Sequence, residues 1–164
     1  MKEFIETQRM RMWWVYLVTL LLLALAVFGF VYQVVLGHEF GSNPGPDWFL
    51  YATLVLVIFI NWLVFAARLI LKINSQGIFF RYYPFTAKSF SWKEIESFEI
   101  IEYEPMKDYG GWGIRYNWNN KGKAYSFGGN KGLSLTLKNN QKVLIGTAKS
   151  EEMKNFLNEN NFLS

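Results

Sequence analysis

The chain has 164 residues, of which 51% are hydrophobic, 19% aromatic and 18% charged, and its formal net charge is +4. It contains no cysteine and one histidine, which excludes disulfides, thiolate metal sites and thiol catalysis and removes most zinc and triad chemistry. From Lys72 onward 13 Lys and Arg stand against 9 Asp and Glu, a mild and dispersed excess that lacks the dense basic stripe of a nucleic-acid-binding surface.

Residues 1–12 read as an N-terminal arm carrying Lys2, Arg9 and Arg11. Trp13 to Leu36 is then 24 residues of mostly apolar sequence, more than the roughly 20 a helix needs to cross the hydrocarbon core. Ala24-Leu25-Ala26 imitates a signal cleavage site, but the apolar run continues ten residues past it, too long for the roughly 7–15 residues of a signal core. Residues 37–47 form a turn-rich loop without Lys or Arg. His38 and Glu39 in that loop read as solvated residues, because two ligands on a flexible segment make no metal site.

Trp48 to Leu71 is the second predicted span, apolar through Ala67 apart from Thr53 and Asn61 and followed by Arg68 and Lys72. Trp13, Trp14, Tyr16, Tyr32, Trp48 and Tyr51 bracket the two segments as interfacial anchors. The basic residues of the arm and of the Arg68–Arg81 flank set both termini on the cytoplasmic side of the cell (inner) membrane, by the positive-inside rule. Antiparallel pairing of the two helices brings Asn61 to the depth of Thr19, where an amide-to-hydroxyl bond would hold the hairpin together. Arg68 sits at the span's edge, where a long side chain snorkels to phosphates.

Residues 72–164 change to an alternating pattern and read as one cytoplasmic β domain. Strands are expected at 77–83, 88–92, 98–103, 113–118, 123–127, 133–137 and 142–146, with a turn over 119–122 and a tight hairpin at Asn139-Asn140, since Asn tolerates positive φ. Ser150, Glu151 and Glu152 open a short amphipathic helix whose Met153, Phe156 and Leu157 face the sheet. The expected fold is thus a membrane helical hairpin plus a curved sandwich or barrel of about seven antiparallel strands, closed by one C-terminal helix.

Asn74-Ser75-Gln76-Gly77-Ile78, Trp92-Lys93-Glu94-Ile95-Glu96-Ser97 and Leu144-Ile145-Gly146-Thr147 before a Glu-Glu helix carry a resemblance to the bacterial pleckstrin-homology-like (PH-like) family, whose members often place two transmembrane helices ahead of the domain. The resemblance implies a bacterial membrane protein with a cytoplasmic PH-like fold, no established catalytic residues and mostly undefined ligands. The hairpin Tyr83–Lys88 offers only Lys88, with Arg81 before it, and so departs from the basic hairpin of inositol-lipid-binding PH domains.

Asp108-Tyr109-Gly110-Gly111-Trp112-Gly113-Ile114-Arg115 is the most unusual stretch. Either Trp112 and Arg115 form a partner-binding anchor, or the glycines form a sheet corner with Trp112 plugging it and Arg115 paired to Asp108 or a strand Glu. Gly128-Gly129-Asn130-Lys131-Gly132 lacks a P-loop ending and reads as a hairpin turn. Lys121, Lys123 and Lys131, with Arg68 and Lys72, are candidates for contact with anionic lipid. Glu94, Glu96, Glu99, Glu102 and Glu104 lie on a turn and a strand without the shared cleft that splits carboxylate pKa values.

The expected function is a non-enzymatic binding or scaffold module anchored in the bilayer, acting through protein partners or self-association, with no catalytic residues, metal, cofactor, nucleic acid or specific small molecule. The alternatives are a sensor of anionic headgroups acting through the basic turns and an accessory subunit of a transporter or membrane enzyme.

Overall fold

The computed structural model describes residues 3–10, 12–117 and 122–160. The chain divides into two compact units, a helical one, Met12–Ala66, and a β unit built from the residues on either side of it.

In the helical unit, α1 (Trp13–Phe30) runs on through a π-helical turn, Val31–Val35, and α2 (Asp47–Ala66) returns. At 23 and 20 residues both are long and apolar enough to cross a membrane. Their burial is inverted relative to a water-soluble bundle. The residues they bury are Thr19, Gly29 and Asn61, while Leu21, Leu25, Phe28, Val55, Leu56 and Phe59 are exposed. Small and polar residues at the helix contact with bulky apolar ones outside is the arrangement suited to a lipid solvent. Tyr16–Phe65 and Phe30–Tyr51 ring pairs, each with centroids 5.0 Å apart, pin the two ends of the hairpin. Gln33 Nε2 ties the loop by donating to the Gly45 carbonyl and to Asp47 Oδ1.

Asn61 does reach Thr19, but through the backbone: its Nδ2 donates to the Thr19 carbonyl at 3.1 Å and to the Val57 carbonyl at 3.0 Å. The Thr19 hydroxyl is already used, donating to the Tyr16 carbonyl at 3.1 Å, as helical Thr commonly does.

The second span is shorter than its apolar run. α2 stops at Ala66, and Arg68–Asn74, expected as helix end and linker, is strand β2. Its alternation is clear once the helix is removed: Leu69, Leu71 and Ile73 are fully buried and Arg68, Ile70 and Lys72 face outward. The N-terminal arm is likewise a strand, β1 (Phe4–Arg9), which pairs antiparallel with β2 from Phe4↔Ile73 to Arg9↔Arg68. The apolar hairpin is therefore inserted between the first two strands of the β unit and does not precede it.

Among the described residues there are nine strands where about seven were expected. β1 and β2 are followed by β3 (Gly77–Tyr83) and β4 (Thr86–Ser91), which complete a four-stranded antiparallel sheet in the order β1-β2-β3-β4. β5 (Ile95–Glu102), β6 (Gly113–Asn117), β7 (Gly122–Ser126), β8 (Lys131–Leu137) and β9 (Lys142–Gly146) form the second sheet, ordered β5-β8-β9-β7-β6. Its β7–β9 pair is parallel, so the expected all-antiparallel arrangement does not hold. β5 also begins three residues earlier than the alternation suggested, at Ile95, with a register shift between Ile95 and Ser97.

The core lies between the sheets, where Leu69, Leu71, Phe80, Leu133, Leu135 and Ile145 are fully buried and Tyr82 stacks on Phe127 at 4.5 Å. α4 (Ser150–Asn160) seals it with Met153 and Leu157, as the amphipathic pattern requires. A short helix absent from the sequence reading, α3 (Pro105–Tyr109), covers a smaller outer cluster of Tyr103, Tyr109, Ala124 and Leu144. The expected hairpin glycine substitute is in place: Asn140 has φ 62°.

Two buried polar side chains fasten β1. Glu6 is 3% exposed, and its carboxylate accepts from the Thr147 hydroxyl at 2.6 Å and the Ala148 N–H at 2.7 Å. Gln8 Nε2 donates to the Gly146 carbonyl at 2.7 Å. A buried carboxylate is tolerable only with such partners.

Candidate functional site

The glycine-rich segment is a structural corner. α3 ends on Gly110 at φ 69°, with the Gly110 N–H donating to the Met106 carbonyl, the 5→1 bond of a left-handed cap, and the Gly111 N–H donating to the Pro105 carbonyl. Gly111 and Gly113, at φ 122° and 112°, then swing the chain into β6. Trp112 is half-buried, and its Nε1 donates to the Gly129 carbonyl at 2.9 Å. Arg115 Nε donates to the Trp112 carbonyl at 3.1 Å, while Asp108 Oδ2 accepts from the Glu104 N–H. Where one expectation paired Arg115 with Asp108 or a strand Glu, the Arg115 side chain bonds the backbone of its own turn and Asp108 accepts from the Glu104 N–H. Trp112 and Arg115 thus brace the corner.

What the corner presents is an edge. Among the described strands β6 pairs with β7 and ends its sheet. Ile114 lies opposite Tyr125 and Tyr116 opposite Lys123. Tyr125 belongs to the core, with its ring 4.6 Å from Phe80, so Ile114 and Tyr116 continue the core-facing side of the sheet past its cover. They are 42% and 53% exposed. The Ile114/Tyr116 alternation is visible in the sequence, but nothing local marks its strand as an edge.

Beside that edge a cleft of about 410 Å³ opens, lined among others by Lys88, Tyr116, Asn117, Lys123, Gln141 and Lys142. No carboxylate lines it, and none of its three lysines has an ion pair among the described residues. Burial raises the Tyr125 hydroxyl pKa, and the Lys123 charge opposes that rise. Three ammonium groups, an aromatic wall and the terminal strand of a sheet suit an extended, acidic polypeptide segment.

Lys131, Arg68 and Lys72 are not among the residues that line this cleft. Lys123 pairs with Val143 at one end of the second sheet, whereas Lys131 starts β8 at the other, beside Gly132↔Gly146 and 4.0 Å from Glu151. About five residues of strand, roughly 17 Å, separate the two ends, so Lys123 and Lys131 do not form a single rim. Lys121 lies outside the described residues. Arg68 stacks over the Tyr83 ring at 5.1 Å, and Lys72 faces outward from the middle of β2.

Three of the five flagged carboxylates have hydrogen-bond or ion-pair partners, and two of them, Glu102 and Glu104, line one shallow cleft with Asp108. Glu94 accepts from the Ser91 N–H and hydroxyl, and the backbone bond is the main cause of its lowered pKa. Glu102 accepts from Asn130 and Glu104 pairs with Lys107. Among the described residues no three His, Asp or Glu gather in a metal-binding group. The chain matches no known family model and no curated protein.

Proposed function

We propose that this is a membrane-anchored, non-enzymatic binding module, with both termini cytoplasmic and a PH-like domain that captures an extended acidic segment of a protein partner, or the edge of a second copy, along β6. The observation that carries the proposal is the place of β6 as the terminal strand of its sheet, with exposed Ile114 and Tyr116, beside a cleft whose described lining holds three lysines and no carboxylate. Backbone pairing supplies affinity, and alternate side chains with the lysines supply selectivity. A four-stranded sheet followed by a second sheet and a closing C-terminal helix supports the PH-like layout, while the parallel β7–β9 pair departs from an all-antiparallel version of it. The inverted burial of the helical hairpin supports the anchor, and Arg9 and Arg68 flanking the two helices support the orientation.

The test is a photo-crosslinker at Tyr116 in native membranes, compared with Lys131 at the opposite end of the second sheet. Capture should be specific to position 116 and should be lost in an Ile114→Asp, Lys123→Glu variant whose near-ultraviolet circular dichroism is unchanged. Equal capture from position 131, or capture that survives the double substitution, refutes the assignment.

A further inference from the structure

We infer that the tip of the β3–β4 hairpin, Phe85, with Arg9, Arg68 and Arg81 around it, is a second membrane contact that docks the β domain on an anionic lipid surface. The outward face of the first sheet carries Arg9, Arg68, Lys72 and Arg81, and no carboxylate: the one acid in β1 to β4 is Glu6, which points inward and is bonded. Such a face suits anionic headgroups.

The lipid surface is favoured over a soluble partner by chain continuity. Three residues separate Arg9 from the start of α1, and Ala67 alone separates Arg68 from the end of α2. If those helices span the bilayer, as the proposed anchor requires, both arginines lie at headgroup depth wherever else the domain reaches. The register Arg68↔Tyr83 sets the end of β3 beside them. One strand spacing and two residues then bring Phe85 within roughly 10 Å of Arg68, comparable with the roughly 5–8 Å thickness of a headgroup layer. Phe85 is 60% exposed at that tip, next to Pro84, and the pocket around it is lined by Arg81, Tyr83, Thr86 and Ala87 without an acid. An exposed aromatic beside Arg81, at the same end of the sheet as Arg68 and Arg9, is an interfacial wedge. No enclosed site for a particular headgroup is present there, so the contact reads charge and depth, not headgroup stereochemistry.

The chain has no cysteine, so Phe85→Cys and Ser75→Cys each give one labelling site in the full-length protein. Ser75 is exposed in the β2–β3 turn at the opposite end of the strands. With an environment-sensitive fluorophore in vesicles containing phosphatidylglycerol, the label at 85 should be blue-shifted and quenched by nitroxides in the acyl chains, and the label at 75 should remain water-like. Pure phosphatidylcholine vesicles should weaken the signal at 85. Arg9→Gln with Arg81→Gln should lower the docked-to-free ratio roughly 25-fold, about five-fold per arginine. A water-like label at 85, equal quenching at 75, indifference to the two arginines, or burial that follows protein density, the mark of a second copy, each overturns the inference. Carbonate extraction checks the hairpin separately: a chain stripped from the vesicles removes the anchor and the docking together, whereas a retained chain with a water-like label removes the docking alone.

Discussion

Replacing Glu6 tests whether the N-terminal strand is integral to the β domain. In Glu6→Ala the Thr147 hydroxyl and the Ala148 N–H lose a charged acceptor at 2.6 and 2.7 Å. Hydrogen bonds to charged groups contribute about 1.5–3 kcal/mol each. Ala148 is exposed enough for water to take over its N–H, whereas Thr147 is 3% exposed and is left unsatisfied. The expected loss is therefore about 3 kcal/mol, which lowers Tm by roughly 10–15 °C for a domain of this size. Glu6→Gln keeps the shape and one acceptor. Its amide N–H₂ faces Thr147 Oγ1, which already accepts from the Lys149 N–H, so that variant should lose about 1–1.5 kcal/mol. Near-ultraviolet circular dichroism of the full chain in detergent follows the β domain without interference from the apolar helices' backbone signal, and hydrogen exchange should show β1 and the 146–149 connection opening together. A Glu6→Ala protein within 0.5 kcal/mol of the parent, or a Gln variant as damaged as the Ala one, would refute the latch.

Asn61→Leu should weaken pairing of the two apolar helices by only about 0.6 kcal/mol, because it removes two amide bonds to backbone carbonyls and also a buried Oδ1 that has no partner. Energy transfer between labels on α1 and α2 in detergent measures it, and a gain in pairing would contradict the role. Burial pushes the Tyr82 hydroxyl up to about 12, with Arg115 opposing, and burial with the Asp108 charge does the same for Tyr109. Both groups stay protonated in the fold above the unfolded value of 10, so the fold binds more protons than the unfolded chain between pH 10 and about 12, and stability falls as pH rises through that window. Each contributes up to about 1.4 kcal/mol per pH unit. Tyr82→Phe should flatten the alkaline limb of a denaturation series, and an unchanged limb would contradict the burial argument.

The misread segments share a physical cause. In β1 the inward positions are Phe4, Glu6 and Gln8 and the outward ones include Ile5, so polarity is partly inverted and the alternation gives no strand signal. The acceptable inward carboxylate depends on donors more than 140 residues away. In β2 the alternation Leu69, Leu71, Ile73 follows directly on an apolar helix, and hydropathy summed over a window cannot divide the two. Lys121, Lys123 and Lys131 looked adjacent because they lie in neighbouring turns, yet Lys123 and Lys131 sit at opposite strand ends once β9 is placed between β7 and β8. The corner at Gly110–Gly113 was legible as a corner, but the bond of Trp112 to Gly129 depends on a loop brought in by the sheet.

By itself the sequence determined the features whose physics is short-ranged: two apolar helices set by hydropathy and length, the positive φ at Asn140, the amphipathic face of α4 and seven strands from period-two alternation. Tertiary structure alone decided that the helical hairpin interrupts a sheet between β1 and β2, that Glu6 is buried and that β6 is an edge. These depend on which strand lies beside which. Strand pairing joins residues about 60 positions apart through backbone bonds that carry no residue-specific mark, so local pattern reveals a strand but not its neighbours.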